Sequence, residues 1–320
     1  MRILLWSMLI TGALVILITA CSFRSTRPQN FEFDANIDEQ FEMVYLEYPD
    51  RPYFFATPLP LDLNFPHDDQ GIRLDLINGS YYYHPYTLVN MGLQYISSYY
   101  VTHDTAYLDL IWRYANKLRE IGTRYDDGIY IAYSFNGRLH PNFNDFMMAP
   151  WFSGLTQGFA LNFISRVYEI TGSAKMKYFA DSLFNSFLHW DTSAPIWTVG
   201  FDSAGYYWIE EYPFRPYDHV MGGFINAILG LHNYYMVTND YRCLRIYKAA
   251  CTTIAHYFNE YRRPGNLCIY CLLHKVTNSP GYHNLDAFRL RQLYTVSGHP
   301  LFEAYAESLD VDYAAWSDSL

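Results

Sequence analysis

The chain repeats one pattern: two helical segments, a short polar break between them, and then an aromatic segment with the character of a β-strand. The breaks fall at Thr102, Thr171, Thr238 and Ser297, about 60 to 70 residues apart. Periodicity predicts the helix pairs 85–101 with 105–121, 153–170 with 174–187, 217–237 with 241–261, and 285–296 with 300–309. The strand-like segments are 127–133, 205–212 and 267–274.

Successive helix hairpins predict an all-α fold: an α/α toroid of about four helical hairpins, an incomplete barrel, with short β-hairpins between them. Gly92, Gly158 and Gly223 lie near the start of the first helix in three of the pairs. The toroid is predicted over residues 81–320. Residues 37–80 are rich in proline and aromatic side chains and are predicted as an N-terminal arm.

The N-terminus reads as a targeting segment. Residues 1–20 are mostly apolar after Arg2 and end in small residues directly before Cys21. This pattern is typical of a bacterial lipoprotein signal peptide, in which Cys21 becomes lipid-anchored, and a transmembrane anchor is the alternative. Residues 21–36 are polar and predict a tether. We therefore expect a protein anchored to a bacterial membrane and facing the periplasm or the cell exterior.

Four further cysteines, Cys243, Cys251, Cys268 and Cys271, would then lie in an oxidising compartment, where disulfides can form. Cys268-x-x-Cys271 resembles half of a metal site, but no second close pair or histidine ligand accompanies it in the sequence. We expect buried thiols or a disulfide rather than zinc, and we recognise no dedicated ligand set for a divalent ion.

Composition narrows the classes of ligand. The formal net charge is −10 and no lysine or arginine cluster exceeds Arg262-Arg263, which argues against nucleic acid. Aromatic residues make up 19% of the chain, with 32 Tyr and 7 Trp, and such side chains suit sugar rings, although an aromatic core is the alternative. An acidic surface repels a polyanionic sugar chain, so an anionic substrate would need local positive groups inside a cleft.

The second strand-like segment, extended to 205–213, holds two adjacent carboxylates among aromatic residues. In an extended conformation Glu210 and Glu211 point to opposite faces, so one of them is expected to face an aromatic pocket. A buried carboxylate needs a partner or has a shifted pKa, and Tyr212 offers a second proton-transfer group. If the strands gather at one end of the toroid, Tyr130, Glu211, Tyr270 and Tyr282 converge there.

Four segments carry a family resemblance: 150–158 (PWFSGLTQG), 208–213 (WIEEYP), 269–270 (IY) and 281–283 (GYH). In this order and spacing they resemble the C-terminal domain of the D-glucuronyl C5-epimerases, to which the enzymes of heparan sulfate synthesis belong. The likeness covers residues 150–302, and 81–85 (YYYHP) with 91–93 (MGL) is a weaker match to an earlier segment. We expect no counterpart of the separate β-domain that the animal enzymes carry.

The resemblance implies an isomerase that removes the proton at carbon 5 of D-glucuronate within a polysaccharide and returns one from the opposite face, giving L-iduronate without a redox cofactor. Two acid/base groups must face carbon 5, and the enediolate-like intermediate needs donors or a cation. The catalytic candidates are Glu211, Tyr212, Tyr270 and Tyr282. The substrate-binding candidates are Trp151, Gln157, Tyr130, Trp208, Glu210, His274, His283 and Arg289, although a structural role is the alternative for the two histidines.

One position departs from the family pattern. In the family, an arginine that can bind the uronate carboxylate lies three residues after the tyrosine that corresponds to Tyr270. This chain has Leu273 at that position. Lys275, Arg289 and Arg215 are the candidates to replace it. The alternatives are therefore a uronate polysaccharide lyase, a glycoside hydrolase pairing Glu210 or Glu211 with Asp145 or Asp218, and a carbohydrate-binding lipoprotein without activity. The sequence does not fix the oligomeric state, and a homodimer is one option.

Overall fold

A computed structural model describes residues 31–140 and 143–319, and within these the chain is mostly helical. The helices are α1 (Pro85–Thr102), α2 (Thr105–Ile121), α3 (Gly154–Thr171), α4 (Ala174–Asn185), α5 (Met221–Thr238), α6 (Tyr241–Tyr261), α7 (Pro280–Ser297) and α8 (Pro300–Asp318). The strands are β1 (Asp75–Ile77), β2 (Ser80–Tyr82), β3 (Gly122–Tyr125), β4 (Gly128–Ile131), β5 (Gly137–Arg138), β6 (Phe146–Met147), β7 (Val199–Phe201) and β8 (Tyr207–Ile209), paired as four antiparallel hairpins. Two 3-10 turns complete the set, at Tyr48–Asp50 and Ser186–Leu188.

The helices pack as four hairpins, α1 with α2, α3 with α4, α5 with α6 and α7 with α8. The first helix of each hairpin also packs on the first helix of the next, so α1, α3, α5 and α7 form a consecutive inner row. The predicted all-α class and α/α toroid are confirmed. None of the helices in the described part of the chain is both long and apolar enough to cross a membrane.

The predicted breaks are helix caps. His103, Gly172, Asn239 and Gly298 each have a left-handed φ, between 54° and 63°, and each donates its backbone N–H to the carbonyl four residues earlier. The next helix then starts at once in two of these breaks, because Asp104 and Asp240 accept hydrogen bonds from backbone N–H groups of the following turn at 2.9 and 2.8 Å. Local sequence chemistry therefore sets the hairpin connections.

The inner row is held together where backbones touch. A Cβ on Gly158 of α3 would lie 2.2 Å from the Cα of Ala227, and a Cβ on Gly230 of α5 would lie 2.0 Å from the Gly158 carbonyl oxygen. Glycine at these two positions allows α3 and α5 to approach more closely than any side chain would permit.

Several predicted boundaries are wrong for identifiable reasons. Helix α7 begins at Pro280 rather than 285, because the Ser279 hydroxyl caps it by accepting from Tyr282 N at 3.3 Å. Helix α5 begins at Met221 rather than 217, because His219 has φ 53° and interrupts a helical path. Helix α8 continues to Asp318 rather than 309, and its buried Asp312 pairs with Arg262 at 2.6 Å.

The segment 267–274 is a loop rather than the predicted strand. It makes two isolated bridges, Ile269 with Thr277 and Cys271 with Val220. The end of α6 holds it through a hydrogen bond from Ile269 N to Tyr261 O at 2.9 Å, and a second bond joins Leu272 N to Asp218 O at 3.1 Å. Its shape thus depends on neighbours distant in the sequence.

The N-terminal arm wraps across the toroid and packs on it. Phe41 is buried against Phe302 of α8, with ring centroids 5.3 Å apart, and Arg51 pairs with Glu169 of α3 at 2.8 Å. Residues 31–36, predicted as part of the tether, also pack on the core, where Phe33 contacts Tyr207 at 5.6 Å between ring centroids. The predicted signal peptide, Cys21 and the tether residues 21–30 lie outside the described residues.

Candidate active site

A cavity of about 370 Å³ opens where the N-terminal ends of the four inner helices meet. Each helix supplies lining residues from its first turns or from the residue before it: His84 and Tyr86 for α1, Ser153 and Leu155 for α3, Val220, Gly222 and Gly223 for α5, and Tyr282, Leu285 and Arg289 for α7. The remaining lining residues are Tyr133, Trp151, Glu211, Tyr212 and Tyr270, which come from the connections between hairpins. The volume suits a small ligand or one part of a larger one.

The four catalytic candidates all line this cavity, together with Trp151 and Arg289. Glu211 and Tyr212 follow β8 directly, so the hairpin of β7 and β8 places them. Tyr270 lies in the loop after α6 and is fixed by a hydrogen bond from its backbone N–H to Val276 O at 2.7 Å. Tyr282 lies in the first turn of α7 and is half exposed, because α7 begins earlier than periodicity predicts.

Glu211 is the carboxylate of the cavity, and its side chain is packed against the first turn of α5. It is only 8% exposed. Burial raises its pKa to about 7, against opposing effects from the Tyr212 hydroxyl and the Arg289 guanidinium. Gly223 makes this position available, since a Cβ there would lie 2.1 Å from Glu211 Oε2. A carboxylate whose pKa is near neutrality is suited to both accepting and donating a proton.

The phenols near Glu211 are connected to it. The Tyr212 hydroxyl interacts electrostatically with both Glu211 and Tyr270. Burial, followed by the charge of Glu211, raises the pKa of Tyr212 and of Tyr270 well above the usual value for tyrosine. Both phenols are therefore protonated at neutral pH, and the Tyr282 ring stands edge-on to the Tyr270 ring with centroids 6.1 Å apart. The buried carboxylate and the phenols of Tyr212 and Tyr270 therefore form one interacting group.

Trp151 forms an aromatic wall of the cavity. Its indole stacks on Tyr133 with ring centroids 3.8 Å apart, and its Nε1 donates to Phe135 O at 2.9 Å. A backbone bond from Tyr133 N to Trp151 O, 2.8 Å long, joins the two residues' segments. The Tyr212 ring lies 6.1 Å away on the same wall. These contacts fix an apolar face of the kind on which sugar rings pack.

Arg289 supplies the cationic group of the cavity. It pairs with Asp286, one turn earlier on α7, at 2.7 Å, and the side chain is largely buried. The other two candidates to replace the family arginine lie elsewhere: Lys275 is exposed, and the Arg215 guanidinium contacts Thr192 and the Tyr217 ring. Of the three, Arg289 is the one that lines the cavity together with Glu211.

Three aromatic or amide candidates for substrate binding do not line the cavity. Tyr130 is fully buried and its hydroxyl bonds to His189 Nδ1 at 2.9 Å. Gln157 is buried and holds the backbone of β4, accepting from Ile131 N at 2.7 Å. Trp208 stacks on His219 with ring centroids 3.8 Å apart. All three are structural supports, because their polar or aromatic groups are used inside the core.

The remaining three candidates also lie away from the cavity. Glu210 is buried and pairs with His219 Nδ1 at 2.6 Å, on the strand face opposite to Glu211 as the alternation predicts. His283 is buried, accepts from Cys268 N at 2.9 Å through Nδ1 and donates through Nε2 to Leu309 O at 2.8 Å. His274 lies next to Asp218 at 3.2 Å. The structural alternative stated for the histidines fits these placements.

The sequence pattern missed four aromatic or polar lining residues: His84, Tyr86, Tyr133 and Ser153. His84 belongs to the segment 81–85, which weakly matches the family, and this match could have identified His84 as a site residue. Tyr133 lies in the predicted strand-like segment 127–133. The residue of that segment predicted to reach the site is Tyr130, which is buried in the core. Asp145 and Asp218, the second carboxylates of the hydrolase alternative, are not among the residues that line the cavity.

The chain is an α/α toroid with a cavity at the N-terminal ends of its inner helices. D-mannose isomerase shares the fold with a TM-score of 0.53 and 12% identity, over 82% of this chain and 67% of that chain. Cellobiose 2-epimerase from Bacillus thermoamylovorans B4167 does so with a TM-score of 0.51 and 13% identity, over 71% of this chain and 58% of that chain. At such identities the likeness establishes the fold.

Residues 125–310 match the family described as D-glucuronyl C5-epimerase C-terminus, and the chain belongs to that family. The suspected resemblance is thereby confirmed. An uncharacterized protein of Methanocaldococcus jannaschii is 25% identical over 161 residues, which are 48% of this chain and 50% of that protein. The chain thus matches about half the length of this relative.

Proposed function

We propose that the protein converts D-glucuronate residues of a polysaccharide or oligosaccharide to L-iduronate by removing and returning the proton at carbon 5. The observation that carries this proposal is one cavity that holds a carboxylate with a pKa near 7, protonated phenols and an arginine. The proton at carbon 5 is adjacent to the sugar's own carboxylate. Its removal therefore needs a base, and the resulting charge needs a cation or donors.

In the proposed first step, ionised Glu211 takes the proton from carbon 5. The C–H electron pair moves into the sugar carboxylate, which becomes an enediolate with a second negative charge. Arg289 lies in the same cavity and would stabilise that charge. Its guanidinium is held by Asp286 at 2.7 Å, which leaves its other nitrogen atoms for a carboxylate ligand.

In the second step, a phenol, Tyr270 or Tyr282, delivers its proton to the opposite face of carbon 5. The enediolate pair forms the new C–H bond and the phenol becomes a phenolate. Glu211 is now protonated, so the enzyme must move one proton from the carboxyl to the phenolate. Tyr212, which interacts with both Glu211 and Tyr270, would relay this proton.

A second hollow favours a chain-like substrate. It has a volume of about 340 Å³ and shares Tyr212, Tyr270 and Tyr282 with the cavity, so these three rings form a partition between the two spaces. A linked sugar could occupy both sides of the partition, with the reacting residue beside Glu211. This arrangement supports an oligomeric rather than a monomeric substrate.

The test is incubation of the purified protein with glucuronate-containing oligosaccharides in deuterated water, followed by NMR and mass spectrometry. Deuterium at carbon 5 of intact chains, with iduronate signals, is the expected result. Tyr282→Phe should lower the exchange rate by about 10²-fold or more, because it removes one proton-transfer group. Tyr130→Phe is the matched control, since its hydroxyl contacts His189 outside the cavity and the change should leave exchange intact.

Other products would refute the epimerase proposal. A double bond between carbons 4 and 5 would identify a lyase, which shares only the first proton abstraction. Binding of the chains without any exchange would identify a carbohydrate-binding protein. A glycoside hydrolase of the two-carboxylate kind has weaker support, because Glu211 is the one carboxylate among the residues that line the cavity.

A further inference from the structure

Four side chains from three different segments of the chain converge next to Tyr270 of the cavity. His140, Asp218, Cys271 and His274 each offer one ligand atom, and these atoms all lie within 4.8 Å of one another. His140 precedes β6, Asp218 precedes α5, and Cys271 and His274 lie in the loop between α6 and α7. Three separate chain segments therefore meet at one point, and three of the four side chains are buried.

The spacing fits a tetrahedral transition-metal ion. Around zinc, sulfur at about 2.3 Å and nitrogen at about 2.0 Å lie roughly 3.5 Å apart, and a nitrogen–oxygen pair lies about 3.3 Å apart. Here Cys271 Sγ lies 3.7 Å from both His140 Nε2 and His274 Nδ1, and His274 Nδ1 lies 3.2 Å from Asp218 Oδ1. These three separations are thus close to those around such an ion, and all four ligand atoms lie within 4.8 Å of one another.

An outer carboxylate orients one of the histidines. His140 Nδ1 lies 2.6 Å from Asp145 Oδ2, and the same oxygen accepts from His140 N at 2.9 Å. This bond places the imidazole proton on Nδ1 and leaves the Nε2 lone pair directed at Cys271, which is the arrangement found around metal-binding histidines. Asp218 is fully buried, and its Oδ2 has no hydrogen-bond partner among residues 31–140 and 143–319. A buried carboxylate oxygen of this kind is costly unless something binds it.

We propose that His140, Asp218, Cys271 and His274 bind one zinc ion or a similar divalent transition metal. The thiolate and two imidazoles select this class over Ca²⁺ and Mg²⁺, which prefer oxygen ligands. Four protein ligands close the coordination sphere, as in structural zinc sites. Cys271 is not a nucleophile for substrate, because it is fully buried.

The metal ion would affect the active site by fixing the position of Tyr270. Tyr270, which lines the cavity, directly precedes Cys271, and the His140 ring stands edge-on to the Tyr270 ring at 5.7 Å. The loop that carries Tyr270 is otherwise connected by isolated bridges rather than by a sheet. Metal binding would tie this loop to the connection between β5 and β6 and to the segment that leads into α5.

The direct test is metal analysis of the untagged, full-length protein after exposure to zinc and dialysis, by inductively coupled plasma mass spectrometry. We expect about one zinc per chain, falling at least tenfold in Cys271→Ser. Cys268→Ser is the matched control, because this thiol is also buried and three residues away but contacts Asn278 instead. Asp145→Asn should bind zinc about 10–100-fold more weakly while keeping all four ligands.

Cobalt replacement provides a measurement on the unaltered protein. Co²⁺ bound through a thiolate gives a sulfur-to-metal charge-transfer absorption in the near ultraviolet, and tetrahedral geometry gives strong visible bands. Both should appear at one equivalent of Co²⁺ and disappear on adding zinc. A wild-type protein that retains no zinc and shows no thiolate band, or zinc that is lost in Cys268→Ser and kept in Cys271→Ser, would overturn the assignment.

Discussion

The position of Glu211 makes a sharp prediction about Gly223. A Cβ at residue 223 would lie 2.1 Å from Glu211 Oε2 and 2.7 Å from its Cδ, whereas ordinary contacts begin near 3.4 Å. The Gly223→Ala variant must therefore displace the carboxylate by more than about 1 Å. Misplacement of a reacting group by about 1 Å costs on the order of 10²-fold in rate, or roughly 2.7 kcal/mol of transition-state stabilisation.

The stability of the same variant should change little. Alanine is favoured over glycine in a helix by about 1 kcal/mol, and local overpacking costs about 1–3 kcal/mol, so the two effects partly cancel. Carbon-5 exchange rates and thermal unfolding would be measured together. Gly281→Ala is the matched control, since Gly281 is also in the first turn of an inner helix but a Cβ there meets no heavy atom within 4 Å. Full activity of Gly223→Ala would refute the placement of Glu211.

Further predictions concern Glu211, Gly230 and Gly222. Glu211 has a folded-state pKa of about 7 against an ordinary 4.5, so the folded protein binds the extra proton and loses stability, by up to roughly 3 kcal/mol, as pH rises from about 4.5 to 7. Glu211→Gln should abolish exchange and raise the melting temperature at pH 8 but not at pH 4, as calorimetry would show. Because activity requires ionised Glu211, the wild-type kcat/KM should fall below about pH 7; a flat profile would contradict this. Gly230→Ala should lower the free energy of unfolding by about 1–3 kcal/mol or more in urea titrations, because the Cβ meets the Gly158 carbonyl oxygen at 2.0 Å. Gly222→Ala should lower kcat as well as raise KM, since its Cβ would lie 2.4 Å from Arg289 Nη1 and would displace the cation that stabilises the enediolate.

The hairpin plan could be predicted from the sequence because its determinants are local. Thr-His-Asp and Thr-Asn-Asp end one helix and start the next through caps that involve residues within one turn. Boundaries failed where a distant contact or an unusual backbone angle decided them. His219 shortens α5 with a left-handed φ, and α8 is extended past residue 309 by the pairing of Asp312 with Arg262.

The candidate site divides in the same way. The alternation of Glu210 and Glu211 was predictable, because a strand gives adjacent residues opposite faces. The sequence did not show which of these two carboxylates faces the cavity. That choice depends on Gly223 in α5 and on His219, which pairs with Glu210 at 2.6 Å. The cluster around Cys271 was missed for a similar reason: its ligands His140 and Asp218 are 131 and 53 positions away along the chain (271 − 140 and 271 − 218). Spacing rules detect ligands within one segment, and this set spans three.

Two glycines at the start of α5, Gly222 and Gly223, leave room for the cation and the carboxylate of the cavity. Arg289 comes from α7, so its guanidinium reaches the cavity across the first turn of α5, where Gly222 leaves room for it beside Asp286. The next residue, Gly223, leaves room for Glu211. Successive helical residues project in different directions, about 100° apart, so one glycine pair accommodates a cation and a carboxylate without forcing them into contact. The first turn of α5 thus makes room both for Arg289, which would bind the substrate carboxylate, and for Glu211, which would take the proton at carbon 5.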